Sequence, residues 1–540
     1  MRDHAEPPPG VAGAAHSAVT VANAVQRPRT PLVVLRHREH QQVSLAFAGS
    51  ADRVADVLRG DRSHEVVGYL PPVFPEWLGD AGFCRAHHVR FPYIAGAMAN
   101  GIATTRLVVA MARAEMLGVF GAAGLSLQRV EAAIDAIERE LGGEGPSWAI
   151  NLIHSPAEPE LESALADLLV RRGVRRVCVS AYMALTPAVV HCACAGLRLS
   201  PDGRIERRHH IIATVSRPEV ATHFLSPAPA EMVRALVESG ALSPAEAMLA
   251  AKVPLADDIV VEADSGGHTD NRPLVAVLPL IASLRDRLCA QHAYESPVRV
   301  GVAGGLGHPA AIAAAFAAGA AFVQTGSINQ CTVESGLSDV AKRMLLEAGV
   351  ADVAMAAAAD MFELGVRVQV LTRGTLFAPR ANRLYQIYVA YAGLDALPEG
   401  LRTELEERVF GATIAEVWRE TADYWRARRP GEIERAERDP KHRMALVFRW
   451  YLGKASRWAI DGDAGRRTDF QIWCGPAMGV CNDWLHGSPL ETLEGRSAPQ
   501  LALNLLEGAA VATRAQQLRS YGIPVPAADV RFTPRRLRVR

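Results

Sequence analysis

The sequence predicts an α/β chain whose body is a closed (β/α)8 TIM barrel. Short apolar runs alternate with amphipathic stretches of helical length from Phe91 to Gly326, as strands and helices taking turns would. The alternation occurs eight times over ~235 residues, the count and spacing of a parallel barrel. Small residues then follow the seventh and eighth runs, at Gly304-Gly305 and Gly326-Ser327, where such barrels hold phosphate. An open doubly wound sheet would accommodate the same alternation, but eight units closing on themselves is the more economical reading.

In chain order, strand one is read at Pro92 to Gly96 with a helix from Arg106 to Met116. Gly118 to Gly121 leads to a helix from Ser126 to Leu141, and Trp148 to Leu152 to one from Glu158 to Arg172. Val174 to Ser180 is strand four, with a helix after Thr186-Pro187. His210 to Val215 precedes helical stretches from Ala230 to Ser239 and from Ser243 to Ala251. Asp258 to Glu262 precedes a helix from Arg272 to Gln291, and Val298 to Ala303 an Ala-rich helix from Pro309 to Ala318. Ala321 to Gln324 is strand eight. Beyond Gly326 the rhythm stops; Leu337 to Glu347 and Thr403 to Arg429 read as helices, with a strand from Val366 to Leu371 between them.

The flanks complete the expected organisation. A flexible leader spans residues 1–30, an N-terminal lead-in 31–90 and the barrel 91–335. A segment packing at the barrel mouth spans 336–400, a mostly helical, aromatic-rich region 401–525, and a basic, solvated tail 526–540. The 58 basic and 58 acidic side chains cancel, so no global field favours nucleic acid or a membrane surface. There is no run of ~18 apolar residues to span a membrane, and Pro7-Pro8-Pro9 after two acidic residues does not read as a signal peptide. Cys192 and Cys194, and Cys474 and Cys481, lack the paired spacing of a zinc site. Reduced cysteines in a cytoplasmic enzyme without a metal are the expectation.

The chemistry of such a barrel sits in the loops after its strands. Loop seven (Ala303, Gly304, Gly305) and loop eight (Gln324, Thr325, Gly326, Ser327) let backbone N–H groups approach phosphate oxygens. Tight turns alone would also use glycine, but two such loops at the two phosphate positions favour a ligand. Loop six, Asp264 to Asp270, brings Gly266 and Gly267 close to a flat ring and stands His268 at the mouth, able to donate a proton near neutral pH. A loop histidine bonded to a nearby carboxylate is the plainer alternative. In loop one, Gly96 and Ala97 leave room for a planar ligand and Met98 offers it a soft surface. Asn151 ends strand three with an amide for ring heteroatoms, or with a capping side chain. Together these suggest flavin mononucleotide (FMN). The dinucleotide fingerprint G-x-G-x-x-G and the Walker sequence are both absent.

Gly266-Gly267-His268, Ala303-Gly304-Gly305 and Gln324-Thr325-Gly326-Ser327 resemble the nitronate monooxygenase-like flavoproteins. That superfamily includes FMN-dependent enoyl-acyl carrier protein reductases. Further segments resemble the trans-acting enoyl reductases of polyketide and polyunsaturated fatty-acid synthases. They are Leu70-Pro71-Pro72 with Trp77-Leu78-Gly79, Pro92 to Ile102, Glu262 to Leu274, Phe362 to Arg383 and, most specifically, Asp469 to Gly479. The likeness covers residues 67–524. Two departures are Asp264-Ser265 where Glu-Ala is common, and Ser327 where Thr is common.

The resemblance implies that NAD(P)H, NADPH by preference, reduces FMN, which passes hydride to the β-carbon of an enoyl thioester on an acyl carrier protein. It adds Glu262 to the flavin contacts and gives His268 the acid or orienting role. The competing readings are a nitronate monooxygenase acting on small nitronates, and a non-catalytic partner that binds FMN only to stabilise a synthase. Homo-oligomerisation stays open.

Overall fold

A computed structural model describes residues 19–48, 63–142, 145–156 and 158–538. The chain divides into two compact units, Met1–Leu78 with Leu506–Thr533, and Gly79–Leu505 with Pro534–Arg540. In the first, Leu32–His37 is the centre of an antiparallel sheet between Val43–Phe47 and His64–Leu70. The buried Arg514 guanidinium donates to the carbonyls of Pro28, Thr30 and Pro71. The expected leader lies outside the described residues as far as residue 18. Beyond that it is not a flexible coil: Val21–Gln26 is helical, because Thr20 Oγ1 caps the Asn23 N–H and Ala24 and Val25 are buried.

The second unit holds the barrel. Its strands are Tyr93–Ala95, Leu117–Phe120, Ala149–Ile153, Arg176–Ser180, His210–Val215, Asp258–Glu262, Arg299–Ala303 and Val323–Thr325. Each pairs in parallel with its neighbours, and Val323–Thr325 closes the ring on Tyr93–Ala95. The eight strand-and-helix units are those the alternation predicts. One helix, Pro218–Leu225, has no counterpart in that pattern; its eight residues are too few to show a period. Ile94, Leu117, Val119, Ala149, Cys178, Ile212 and Val260 pack the barrel interior. Phe83, from the helix Ala81–His87, stacks on Phe322 at 4.3 Å between ring centroids.

After the barrel the chain builds a second, small antiparallel sheet. Arg367–Leu371 lies between Val353–Ala357 and the two residues Gly267–His268 of loop six. Trp473 bridges to Val370 on the same strand. Around it the helices Phe377–Ala390, Ile414–Arg428 and Pro440–Asp461 pack with Phe362, Phe377, Phe410, Phe448 and Tyr451, and Pro430–Arg438 joins a neighbouring cluster with Trp425 and Leu446.

Two further expectations need correction. Residues 403–429 are not one helix: Gly411 takes φ +65°, and Thr413 with Glu416 forms a capping box that starts a new helix at Ile414. Nor does the basic tail end as a solvated coil. Ala527–Val530 is a helical turn. Beyond it the Asn504 amide donates to Arg535 O and accepts from Arg535 N–H, and Gln500 does the same for Leu537. Two side-chain amides one helical turn apart thus imitate a strand edge and satisfy the extended backbone, whatever its charges do.

Candidate active site

Loops seven and eight form a cradle of bare backbone. Gly304 has φ +91°, and a Cβ there would stand 2.7 Å from the Ala263 backbone, so only glycine lets loop seven rest on loop six. At Gly305 and Gly326 nothing lies within 4 Å of an added Cβ. The space before these two residues is what a phosphate group would take, and Ser327 begins a short helix beside it. Thr325 does not face that space. Its buried hydroxyl bonds Tyr93 Oη at 2.6 Å and accepts from Asn329 at 3.0 Å, pinning strand eight to strand one.

Loop one meets loop eight directly. Gly96 N–H donates to Thr325 O (2.8 Å), and the Gln324 side chain lies 3.0 Å from where a Gly96 Cβ would be. Ala97 is half-buried. Met98, expected as a soft surface for a planar ligand, is buried, 8% exposed. Asn151 is buried, and its Nδ2 donates to Cys178 O and to Ser180 Oγ, both at 3.0 Å. Its carbonyl oxygen is what remains for a ligand, as an acceptor.

Loop six is fixed from three sides. Gln369 Nε2, on the small sheet, donates to Asp264 Oδ1 and Ser265 O, both at 2.7 Å. Asp270 holds Arg217 in a two-pronged ion pair and is thereby lowered to about 2. From the third side comes the distal segment around Gly475. A Cβ at Gly266 would meet Ser327 Oγ at 2.7 Å and Cys474 N at 2.9 Å, and one at Gly475 would meet Gly266 N at 2.7 Å. Gly475 N–H donates to Ser327 Oγ (3.1 Å), and Ala477 packs on Gly307 of loop seven. The Asp469 to Gly479 segment therefore braces loops six, seven and eight together.

His268 stands beside that brace with its side chain 36% exposed and its Nε2 3.2 Å from Asp360 Oδ2. Burial works against a charged ring, but the hydrogen bond and charge of Asp360 outweigh it and raise the His268 pKa. Glu262, accepting from Ser265 Oγ at 3.0 Å, is raised by burial to about 7. Strand six and the loop after it thus hold two groups able to carry a proton near neutral pH. Asp360 and Gln369 carry no signal in the sequence, since each becomes meaningful only through its distance to loop six. Gly475 lies within the distal segment that carries the family resemblance.

A model of the nitronate monooxygenase family matches residues 83–381. The chain belongs to that family. It is thus an oxidoreductase of a flavin-using family, and the cradle is suited to the flavin's phosphate. A second model, the inserted helical domain of acyl-carrier-protein S-malonyltransferase, matches residues 391–470. Among curated proteins, one subunit of the polyunsaturated fatty acid synthase of Thraustochytrium sp. is 46% identical over 82% of this chain and 30% of its own length. The polyketide biosynthesis protein PksE of Bacillus subtilis is 44% identical over 81% of this chain and 56% of its own. The chain thus spans about a third to about half of these relatives. Among solved structures, the enoyl reductase domain of MlnA, from the macrolactin cluster of Bacillus amyloliquefaciens, superposes with a TM-score of 0.79 at 36% identity. That match covers 82% of this chain and 99% of that one. The resemblance drawn from loops six to eight holds at family level. Among the described residues no helix is long and apolar enough to cross a membrane.

Proposed function

We propose that this chain is a trans-acting enoyl reductase, which reduces the α,β-double bond of enoyl thioesters carried on an acyl carrier protein of a polyketide or polyunsaturated fatty-acid synthase. One observation carries the reading. The Cys474-Gly475 segment braces the phosphate cradle and the His268 loop together, in a chain that superposes on an enoyl reductase domain over nearly all of that domain's length.

FMN, when bound, supplies the hydride that it takes from NADPH. Gly304, Gly305, Gly326 and Ser327 are suited to its phosphate, Ala303 and Gln324 to the adjoining edge. Gly96, Ala97, Asn151, Glu262, Gly266 and Gly267 would hold its ring, with Thr325 and Met98 as supporting residues. His268, whose pKa Asp360 raises, is placed to give the proton that the α-carbon requires once hydride has reached the β-carbon. The carrier-protein partner is supported by the helical region, whose likeness is to a domain of an acyl-carrier-protein transferase. A cytoplasmic setting suits such a partner.

The test is anaerobic. Purified protein should show oxidised-flavin absorbance, bleach with NADPH, and regain colour with crotonyl-acyl carrier protein. If colour returns only with oxygen and no enoyl thioester restores it, the reading fails. The name of the matching family favours the second reading, a nitronate monooxygenase, which alkyl nitronates would reveal by oxygen uptake.

A further inference from the structure

Strand six sets a carboxyl among the inward-facing side chains of the barrel, and the reaction above leaves its ionisation unused. Side chains alternate across a strand. In Asp258–Glu262, Asp258 bonds His87 at the barrel floor and Val260 packs in the barrel interior. Glu262 therefore turns inward as well, at the mouth end of the strand. Its ladder partner on strand seven is Ala303, another residue of the interior cluster. Asn151 pairs with the inward Cys178, and Gln324 with Ala303 and the inward Ile94. Ser180 and Thr214 stand two residues beyond the inward Cys178 and Ile212 on their own strands. Of these mouth-end side chains only the carboxyl of Glu262 can carry a charge, and the layer below them is apolar.

Its contacts do not explain why an acid stands there. Oε1 accepts from Ser265 Oγ at 3.0 Å, a bond that a glutamine carbonyl would take equally well. Oε2 makes no hydrogen bond to any described residue and is not among the polar atoms closed off from solvent. Two charges act on the carboxyl from loop six. His268, held by Asp360, favours the ionised form, and Asp270, tied to Arg217 after strand five, opposes it. The flanking strands add no charge, since Thr214 and Ala303 are the side chains they turn inward there. Burial prevails over both charges and raises the carboxyl to about 7.

We propose that Glu262 is the redox-linked proton acceptor of the site, binding one proton at Oε2 when the flavin is reduced and releasing it when the flavin is reoxidised. This rests on the flavin seat proposed above. Hydride from NADPH brings two electrons and one proton, so the mouth gains one negative charge as NADP+ leaves. No cation stands among the inward side chains named above, and Asn151 has already given both amide hydrogens to Cys178 O and Ser180 Oγ. An ionised Glu262 would be a second negative charge in the same poorly solvated space, which disfavours it. A solvent proton forms an O–H bond on Glu262 instead, and the net charge of the mouth is unchanged. When hydride passes to the β-carbon that charge departs with it, the O–H bond breaks and the proton returns to solvent. The proton for the α-carbon comes separately, from His268.

The midpoint potential of the holoenzyme, measured against a redox dye from about pH 6 to about pH 9, tests this. In the wild type, reduction should draw one extra proton above about pH 7, where Glu262 of the oxidised enzyme is ionised, and none below. Reduction then becomes about tenfold harder per pH unit, ~30 mV for two electrons, beyond the slope of Glu262→Gln. The two proteins should agree near pH 6, and Glu262→Gln should be about tenfold easier to reduce near pH 8. His268→Gln should keep the extra slope from a slightly higher pH, because the ring that favours ionisation is gone. Equal slopes in wild type and Glu262→Gln overturn the proposal, as does loss of the extra slope in His268→Gln. If Glu262→Gln loses its flavin, the wild type decides alone. Its reduction near pH 8 must add a carboxylic-acid C=O band to the infrared difference spectrum, and absence of that band overturns the proposal. Protein that neither carries flavin nor takes up FMN overturns the flavin reading itself, whereas a flavoprotein whose slope ignores Glu262 overturns this proposal alone.

Discussion

At the bottom of the barrel His87 Nε2 meets Asp258 Oδ2 at 2.8 Å, and at the mouth His268 Nε2 meets Asp360 Oδ2 at 3.2 Å. The bottom pair is fully buried, with Arg299 donating twice to Asp258 and Arg176 donating to His87 Nδ1. A ring that accepts at Nδ1 and donates at Nε2 is neutral, and burial holds the His87 pKa below its ordinary value. At the mouth the ring is partly open to solvent, the carboxylate outweighs burial, and the pKa rises. The same two residue types thus lock the floor of the barrel and hold a proton at its rim. The balance between desolvation and counter-charge decides which.

The comparison breaks most sharply at the floor. Asp258→Ala leaves Arg299 and His87 buried without their partner, and should cost about 3–5 kcal/mol, seen as a lowered midpoint in urea with loss of bound flavin. His268→Gln should leave stability and flavin content intact while slowing reoxidation by enoyl thioester about a hundredfold. Equal loss of stability in both variants would erase the distinction. Gly326→Val adds a side chain to open cradle space without a positive-φ penalty. FMN affinity should fall roughly tenfold, ~1.4 kcal/mol, in a fluorescence titration, with an unchanged melting temperature.

The smallest effect is a shift in pH. Asp360→Asn removes what raises His268, so its pKa falls and the protonated fraction at neutral pH falls with it. The alkaline limb of the reoxidation profile should move to lower pH. Because the folded pKa is raised, the pair's stabilisation is complete below the unfolded value and fades as pH rises through the folded one. Asp360→Asn should therefore narrow the stability gap between acid and alkaline conditions.

The eight units and the cradle were legible in the sequence because they rest on local features. Apolar period identifies strands and helices, and Gly304, Gly305 and Gly326 sit where backbone must be bare. Gly411 and the Thr413-x-x-Glu416 box were equally local, and splitting the helix there was open to the same reasoning. The tail misled because five arginines suggested solvation, whereas Asn504 and Gln500 bind its backbone, which composition does not report.

By itself, then, the sequence determined the barrel, the bare-backbone loops and a histidine in loop six, all set by periodicity and by what glycine alone can do. Tertiary structure decided which carboxylate each histidine meets. It chose Asp360 for His268 and Asp258 for His87, and with them the direction in which each of those two rings' pKa moves. It also gave the distal Gly475 its purpose, pressed against Gly266 across more than two hundred residues of chain. Those outcomes depend on through-space distance and burial, and neither is a property of any short stretch of sequence.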